Sequence, residues 1–405
     1  MLNKARVFYL INLLLIILAC AAACGRSSSQ TARNGEIPDG AIVVENPLRP
    51  LFPDRSIRFE EELTIGVREG DENAMFGSRI AVNADDRGRF YVSDIDKKIV
   101  RCYDEQGRYL LDIGRPGQGP GEFGDIGRVR FDGGGNIYLH DAHLQRITFM
   151  DRDGGYLRTV KTPPAFGDVI INSKGLYLAR GVDNLELGKG KKWDVVHGLF
   201  DDGFQLAVEF RRRTRDDGAY SKNTSPARLF ADYFSETAFR PGITIALDRD
   251  DRIFFGDPET YVIRVYSPEG RPRSVFRREY RPVRIGARHR KYFRNHLDRS
   301  ALVKMPPSEE ADIFDLIEYP EFLPAYERFV LMDNGWIFVI QDSTPEDYAW
   351  VDIFDRDGKF LMRFKTDIAV EGLVFADGKA YAVATVDDYK YVKRYSYRTP
   401  TKSSN

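Results

Sequence analysis

The chain has 405 residues, with 60 Lys and Arg against 61 Asp and Glu, a balance that excludes the basic excess a nucleic-acid-binding surface usually carries. With 42% apolar and 13% aromatic residues it has enough material for a large core and is not a generally disordered chain. Its 35 Gly, 5 His and 3 Cys, set among β-branched and aromatic runs, point to an all-β, turn-rich fold.

Residues 1–24 read MLNKARVFYLINLLLIILACAAAC, a short basic head (Lys4, Arg6) before an apolar run from Val7 to Ala23. That order, with small residues directly before cysteine, marks a secretory signal rather than a structural helix. Cys20 follows Ile-Leu-Ala and Cys24 follows Ala-Ala-Ala. Both resemble the lipobox of bacterial lipoproteins, which implies cleavage before one of the two cysteines and lipidation of its thiol. The address is then the bacterial cell envelope. Residues 25–55, opening GRSSSQTARNGE, read as a polar, flexible tether. Beyond the signal only Cys102 remains, so the folded domain closes no internal disulfide, and the thiol, lying in a strand pattern, reads as packed.

A repeat organises the rest. Residues 79–114, RIAVNADDRGRFYVSDIDKKIVRCYDEQGRYLLDIG, and 127–161, GRVRFDGGGNIYLHDAHLQRITFMDRDGGYLRTVK, each hold four short alternating strands (a to d) separated by polar hairpin turns. The grammar recurs at 168–210, 243–280 and 328–366, and in a last unit, 372–397, with three strands. FEEELTIG (59–66) reads as a fourth strand without its first three. Added to the last unit it closes a ring and removes both open edges. The expectation is an all-β, six-bladed β-propeller over residues 56–398, closed by an N-terminal strand, with a small helical insertion at 281–327 between blades four and five and a tail at 399–405.

These units, with the linker RPGQGPGEF (115–123) and the run FYVSD…IVRCYDEQGRYLLDIG, resemble NHL-type six-bladed propellers, and the architecture resembles the bacterial "6-bladed beta-propeller" lipoproteins. The likeness is sharpest in blades one and two. It implies a scaffold that binds, with a minority of catalytic relatives, such as amidating lyases and lactonases, that use metals in the channel.

Strands alternate in direction, so the a–b and c–d turns share one face and the b–c and d–a links share the other. The first set is uniformly tight. The second holds every long insertion, at 181–193, 211–242, 281–327 and 343–348, and long loops are uncommon without a function. Segment 277–299 carries nine Arg and Lys and two acids, and Glu309, Glu310, Asp312, Asp315, Glu318 and Glu321 follow. ARHRKYFRNHLDRSAL (287–302) reads as a helix. Two readings stand: charged segments neutralising each other in a cap, or a basic patch at Arg288, Arg290, Lys291 and Arg294 for an anionic partner.

Asp94, Asp141, Asp257 and Asp342 recur at the end of strand b. A ring of carboxylates near a channel is one way to hold Ca²⁺; equally, Asp there accepts backbone N–H groups of the b–c turn. His140 and His143 form an H-x-x-H pair, to which Zn²⁺ would require further ligands, with His197 and His289 the distant candidates. The glycines of RPGQGPGEF are followed by no Gly-Lys-Ser/Thr, so no phosphate loop is read, and no nucleophile elbow occurs. The expected protein is a monomeric, lipid-anchored, non-catalytic binding propeller without a required cofactor. It docks a protein or glycan of the envelope, and no nucleic acid, on the decorated face. The alternatives are a metal-dependent (Ca or Zn) lyase or hydrolase at the channel mouth and a purely structural adaptor.

Overall fold

The computed structural model describes residues 37–183, 192–216, 225–296, 313–341 and 348–400. Cys20, Cys24, Asp342 and residues 1–36 lie outside the described residues.

Six antiparallel sheets form the six blades. Blade one runs Ile80–Ala84, Phe90–Asp94, Ile99–Tyr103 and Tyr109–Ile113; blade two Arg130–Phe131, Ile137–Asp141, Arg146–Met150 and Tyr156–Lys161. Blade three is Gly167–Ile171, Tyr177–Asp183, Lys192–Phe200 and Leu206–Asp216; blade four Thr244–Leu247, Ile253–Asp257, Val262–Tyr266 and Pro272–Arg278. Blade five is Arg328–Leu331, Ile337–Ile340, Ala349–Phe354 and Phe360–Thr366. Blade six joins Glu371–Ala376, Lys379–Val386 and Tyr389–Arg398 to Arg58–Ile65. The six-bladed propeller read from the repeat is the observed fold.

The pattern follows from position in the blade. Strand b of blade one, Phe90–Asp94, is buried at every residue, because neighbouring blades cover both of its faces and call for an unbroken apolar run. Strand d, Tyr109–Ile113, lies at the outer rim and alternates, as a strand with one wet face should. Cys102 sits in the interface core of blades one and two, where burial pushes its thiol up to about 11; it is a packed thiol.

One turn device repeats. Asp85 accepts from the Arg87 and Arg89 N–H groups at 2.9 and 3.0 Å, and Asp104, Asp132 and Asp151 hold their own turns in the same way. The carboxylate stands in for a backbone acceptor, and the glycine of the motif (Gly88, φ 77; Gly107, φ 81) supplies a left-handed residue.

Closure is made by Arg58–Ile65, which pairs antiparallel with Tyr389–Arg398 from Arg58↔Arg398 to Ile65↔Val392, with one bulge. A strand that precedes blade one and the last strand of the described chain thereby share one sheet.

Three segments depart from expectation. Residues 25–55 are not a tether throughout. Ile42–Asn46 adds a fifth, parallel strand to the outer edge of blade four, because the short apolar run IVV has an open edge to pair with. Residues 51–52 then bond to Phe360 and Leu361 of blade five. In blade three the b–c and d–a insertions begin as strand: the b–c hairpin continues to Asp183 and resumes at Lys192, and strand d runs on to Asp216. Within 211–242 lies a helix, Pro226–Thr237, not foreseen in the sequence reading; Ser225 caps it, accepting from the Arg228 N–H. The helix expected at 287–302 is present as Ala287–His296, and 297–302 lies outside the described residues. Among the described residues no helix is long and apolar enough to cross a membrane.

Candidate functional site

The b–c and d–a links meet on one face of the ring, and the helices pack there. Ala231, Phe234 and Ala238 of one insertion and Ile313, Phe314 and Ile317 of the other form a buried cluster of their own. Ser235 stitches the two: its Oγ donates to the Ala231 carbonyl (2.6 Å) and accepts from the Glu318 N–H (2.7 Å). Links from different blade junctions have built one apolar cap, a satellite core above the ring.

The four basic residues expected on this face are divided by the cap. The Arg290 guanidinium lies 5.3 Å from the Tyr319 ring and that of Arg294 5.4 Å from Phe314. Both cations stack on aromatic rings that lie within the insertion's acidic stretch. Arg284 pairs with Glu321 at 2.6 Å, and Ile285 and Leu323 close a short ladder between the two sides. Arg288 and Lys291 are exposed. Cation–ring contacts that hold the cap and an exposed basic surface therefore coexist on one helix.

Asp94 and Asp141 are fully buried and perform the same task in successive blades. Asp94 accepts from the Gly77 and Lys97 N–H groups (3.0 and 3.1 Å), Asp141 from Gly124 and Leu144 (both 2.8 Å). Each ties the glycine of a Phe-Gly pair in the d–a link to the b–c turn. A Cβ on Gly77 would lie 2.7 Å from the Asp94 carboxylate, which explains the glycine. Asp257 accepts from the Glu259 N–H at 3.2 Å and is bridged by Arg211. His140 is held below its ordinary range, chiefly by burial, and its Nε2 is buried without a hydrogen-bond partner. His143 is exposed and lies against Gly124. Among the described residues no three His, Cys, Asp or Glu side chains converge as a metal would require.

Two charged groupings were not foreseen from the sequence. In blade three Arg180 lies 3.3 Å from Asp168, whose backbone is left-handed (φ 55). This pair acts electrostatically on both His140 and His197, and burial pushes His197 down to about 4. Between blades four and five, buried Asp352 accepts from Tyr261 (2.6 Å) and Gln341 (3.2 Å), with Arg278 at 3.3 Å; burial raises the carboxyl despite the nearby arginine. The Asp352 grouping draws on two blades, and neither grouping follows a repeat position that a sequence pattern would display.

The molecule is thus a six-bladed β-propeller with a helical cap on one face. Residues 71–237 match the family model DUF5128, described as a 6-bladed beta-propeller. Among solved structures, the chain is similar to a protein of Bacteroides fragilis NCTC 9343 described as exported, with 11% identity, a TM-score of 0.51, and coverage of 89% of this chain and 100% of that one. It also aligns with the PQQ-bound aldose sugar dehydrogenase of Streptomyces coelicolor (12% identity, TM-score 0.43, 85% and 100% covered) and with virginiamycin B lyase from Staphylococcus aureus (10%, 0.37, 84% and 99%). At such identities the likeness is one of fold alone. No curated protein matches the chain.

Proposed function

We propose that the chain is a non-catalytic binding propeller of the NHL type, held in the bacterial envelope by a lipid on Cys20 or Cys24, that docks a protein or glycan partner on its capped face. The observation that carries this reading is the cap itself. Two long insertions from separate blade junctions fold onto each other on one face, whereas the turns of the opposite face are tight and held by their own aspartates. The ring is closed without the cap, so a role outside ring stability accounts for it. The lyase or hydrolase alternative calls for convergent, available ligands, and the carboxylates of Asp94 and Asp141 are committed to backbone N–H groups.

The test is capture from detergent-solubilised envelope by the parent and by the variant with Arg288→Glu and Lys291→Glu. The variant should lose capture, and capture by the parent should fall steeply with salt, since exposed charges are screened within about 8 Å at physiological ionic strength. Its melting temperature should stay near that of the parent, because exposed charges contribute about 0–1 kcal/mol each. Undiminished capture by a folded variant would refute the assignment to this surface. Anchorage is tested apart: Ser at both Cys20 and Cys24 should release the protein from membranes.

A further inference from the structure

The innermost strands of the blades begin on the capped face, so their first residues surround the mouth of the ring. Two arginines of blade two stand there, Arg128 and Arg130, with buried Val129 between them. Val129 is fixed on blade one: its N–H donates to Ser93 Oγ (3.2 Å) and its carbonyl accepts from Asn83 (2.9 Å). Arg128 reaches across to blade six, donating from Nη2 to the Gly372 carbonyl at 3.2 Å. Arg328, the first residue of the inner strand of blade five, donates to the Val370 carbonyl just ahead of the same blade-six strand. Guanidinium groups from blades two and five thus converge on the start of one strand.

The charges there do not balance. Arg328 is paired with Glu327 at 2.9 Å. The Glu371 carboxylate is held by Lys390 at 3.0 Å, and Asp125 accepts from the Ile126 N–H. Neither Arg128 nor Arg130 has a carboxylate partner among the described residues, and the Arg130 guanidinium makes no hydrogen bond there. Burial, then the charges of Arg130 and Arg328, push the Arg128 guanidinium down to about 10. Like charges gathered in a partly dry mouth oppose folding. A planar fork of N–H donors is also the group that best receives a tetrahedral oxyanion.

We propose that the mouth of the ring is an oxyanion site, in which Arg128 and Arg130, backed by Arg328, receive a doubly charged phosphate or sulfate group. Two unpaired cations match a dianion in charge, which favours this class over a single carboxylate. The site stands whether or not a partner docks on the cap, since none of its residues belongs to the cap cluster.

The test is calorimetric titration of the full soluble domain with inorganic phosphate, with sulfate and with acetate, at low ionic strength. Phosphate or sulfate should bind saturably at one site, and acetate at least tenfold more weakly. Binding of both by equal measure assigns any tetrahedral dianion; binding of phosphate alone assigns the phosphate group. Arg130→Gln removes no contact that the fold uses. It should weaken binding at least tenfold and leave the melting temperature without added anion equal to or above that of the parent, because a repulsive charge is gone. Arg128→Gln should weaken binding likewise. No saturation by either dianion at millimolar concentration would overturn the proposal, as would affinity that survives Arg130→Gln. These outcomes are independent of capture by the cap surface, so failure of one reading leaves the other standing.

Discussion

Asn46 joins blade four to blade five through Phe360: its Oδ1 accepts from the Phe360 N–H at 2.8 Å, while its Nδ2 donates to the Gly358 and Arg277 carbonyls at 2.8 and 3.0 Å. The residue is buried at the end of a strand that pairs with the outer edge of blade four. One amide thus satisfies three backbone groups on two blades.

Asn46→Ala leaves those groups without their partner. A net hydrogen bond is worth about 1 kcal/mol, and a buried group left unpaired costs about 1–3 kcal/mol. The variant should lose about 2–4 kcal/mol, read as a lower urea midpoint with an unchanged slope.

Deleting residues 56–66, in the soluble domain, removes the strand Arg58–Ile65 and exposes the edge of Tyr389–Arg398. The truncated chain should aggregate or melt far below the parent. Melting like the parent would refute the closure as the element that holds the ring.

Arg278 and Asp352 are both buried. Arg278→Met leaves the carboxyl facing Tyr261 and Gln341 with no cation beside it but Arg363, at 3.7 Å, and should cost about 3–5 kcal/mol. Asp352→Asn should cost less, since the amide still accepts from Tyr261 and removes a charge that burial disfavours. A double-mutant cycle on the two positions measures the coupling.

Burial holds His197 neutral in the folded chain down to about pH 4, whereas a free histidine titrates near 6.5. Between those values the unfolded chain takes the proton and the folded chain does not. Stability from this group is therefore full above about pH 6.5 and is lost as the pH falls toward 4, by at most about 3 kcal/mol. Asp168 opposes the effect, while Arg180, Arg211 and Arg213 reinforce it. His197→Gln should flatten the parent's fall in urea midpoint between pH 7 and 4.5.

The blades were legible in the sequence because each is a local object: strands such as Phe90–Asp94 announce themselves by apolar runs, and Asp104 or Asp132 by the turns they hold. The missing fourth strand was legible for the same reason, as an unpaired unit at each end. Ile42–Asn46 was missed because its partner, Pro272–Arg278, lies more than two hundred residues away, and a parallel partner leaves no hairpin signal. The recurrent Asp94 and Asp141 could be found by repetition, and both roles considered for them began from the same pattern. Arg128 and Arg328 could not, because the closeness of blades two, five and six at the mouth exists only in the closed ring.

The most direct measurement of the docking account places a photo-crosslinking residue in vivo at Lys291, exposed on the cap helix, and separately at Lys359, exposed in a tight turn on the opposite face. The account predicts a discrete adduct from position 291 and none from position 359. Adducts from 359 alone, or the same adducts from both positions, would contradict it.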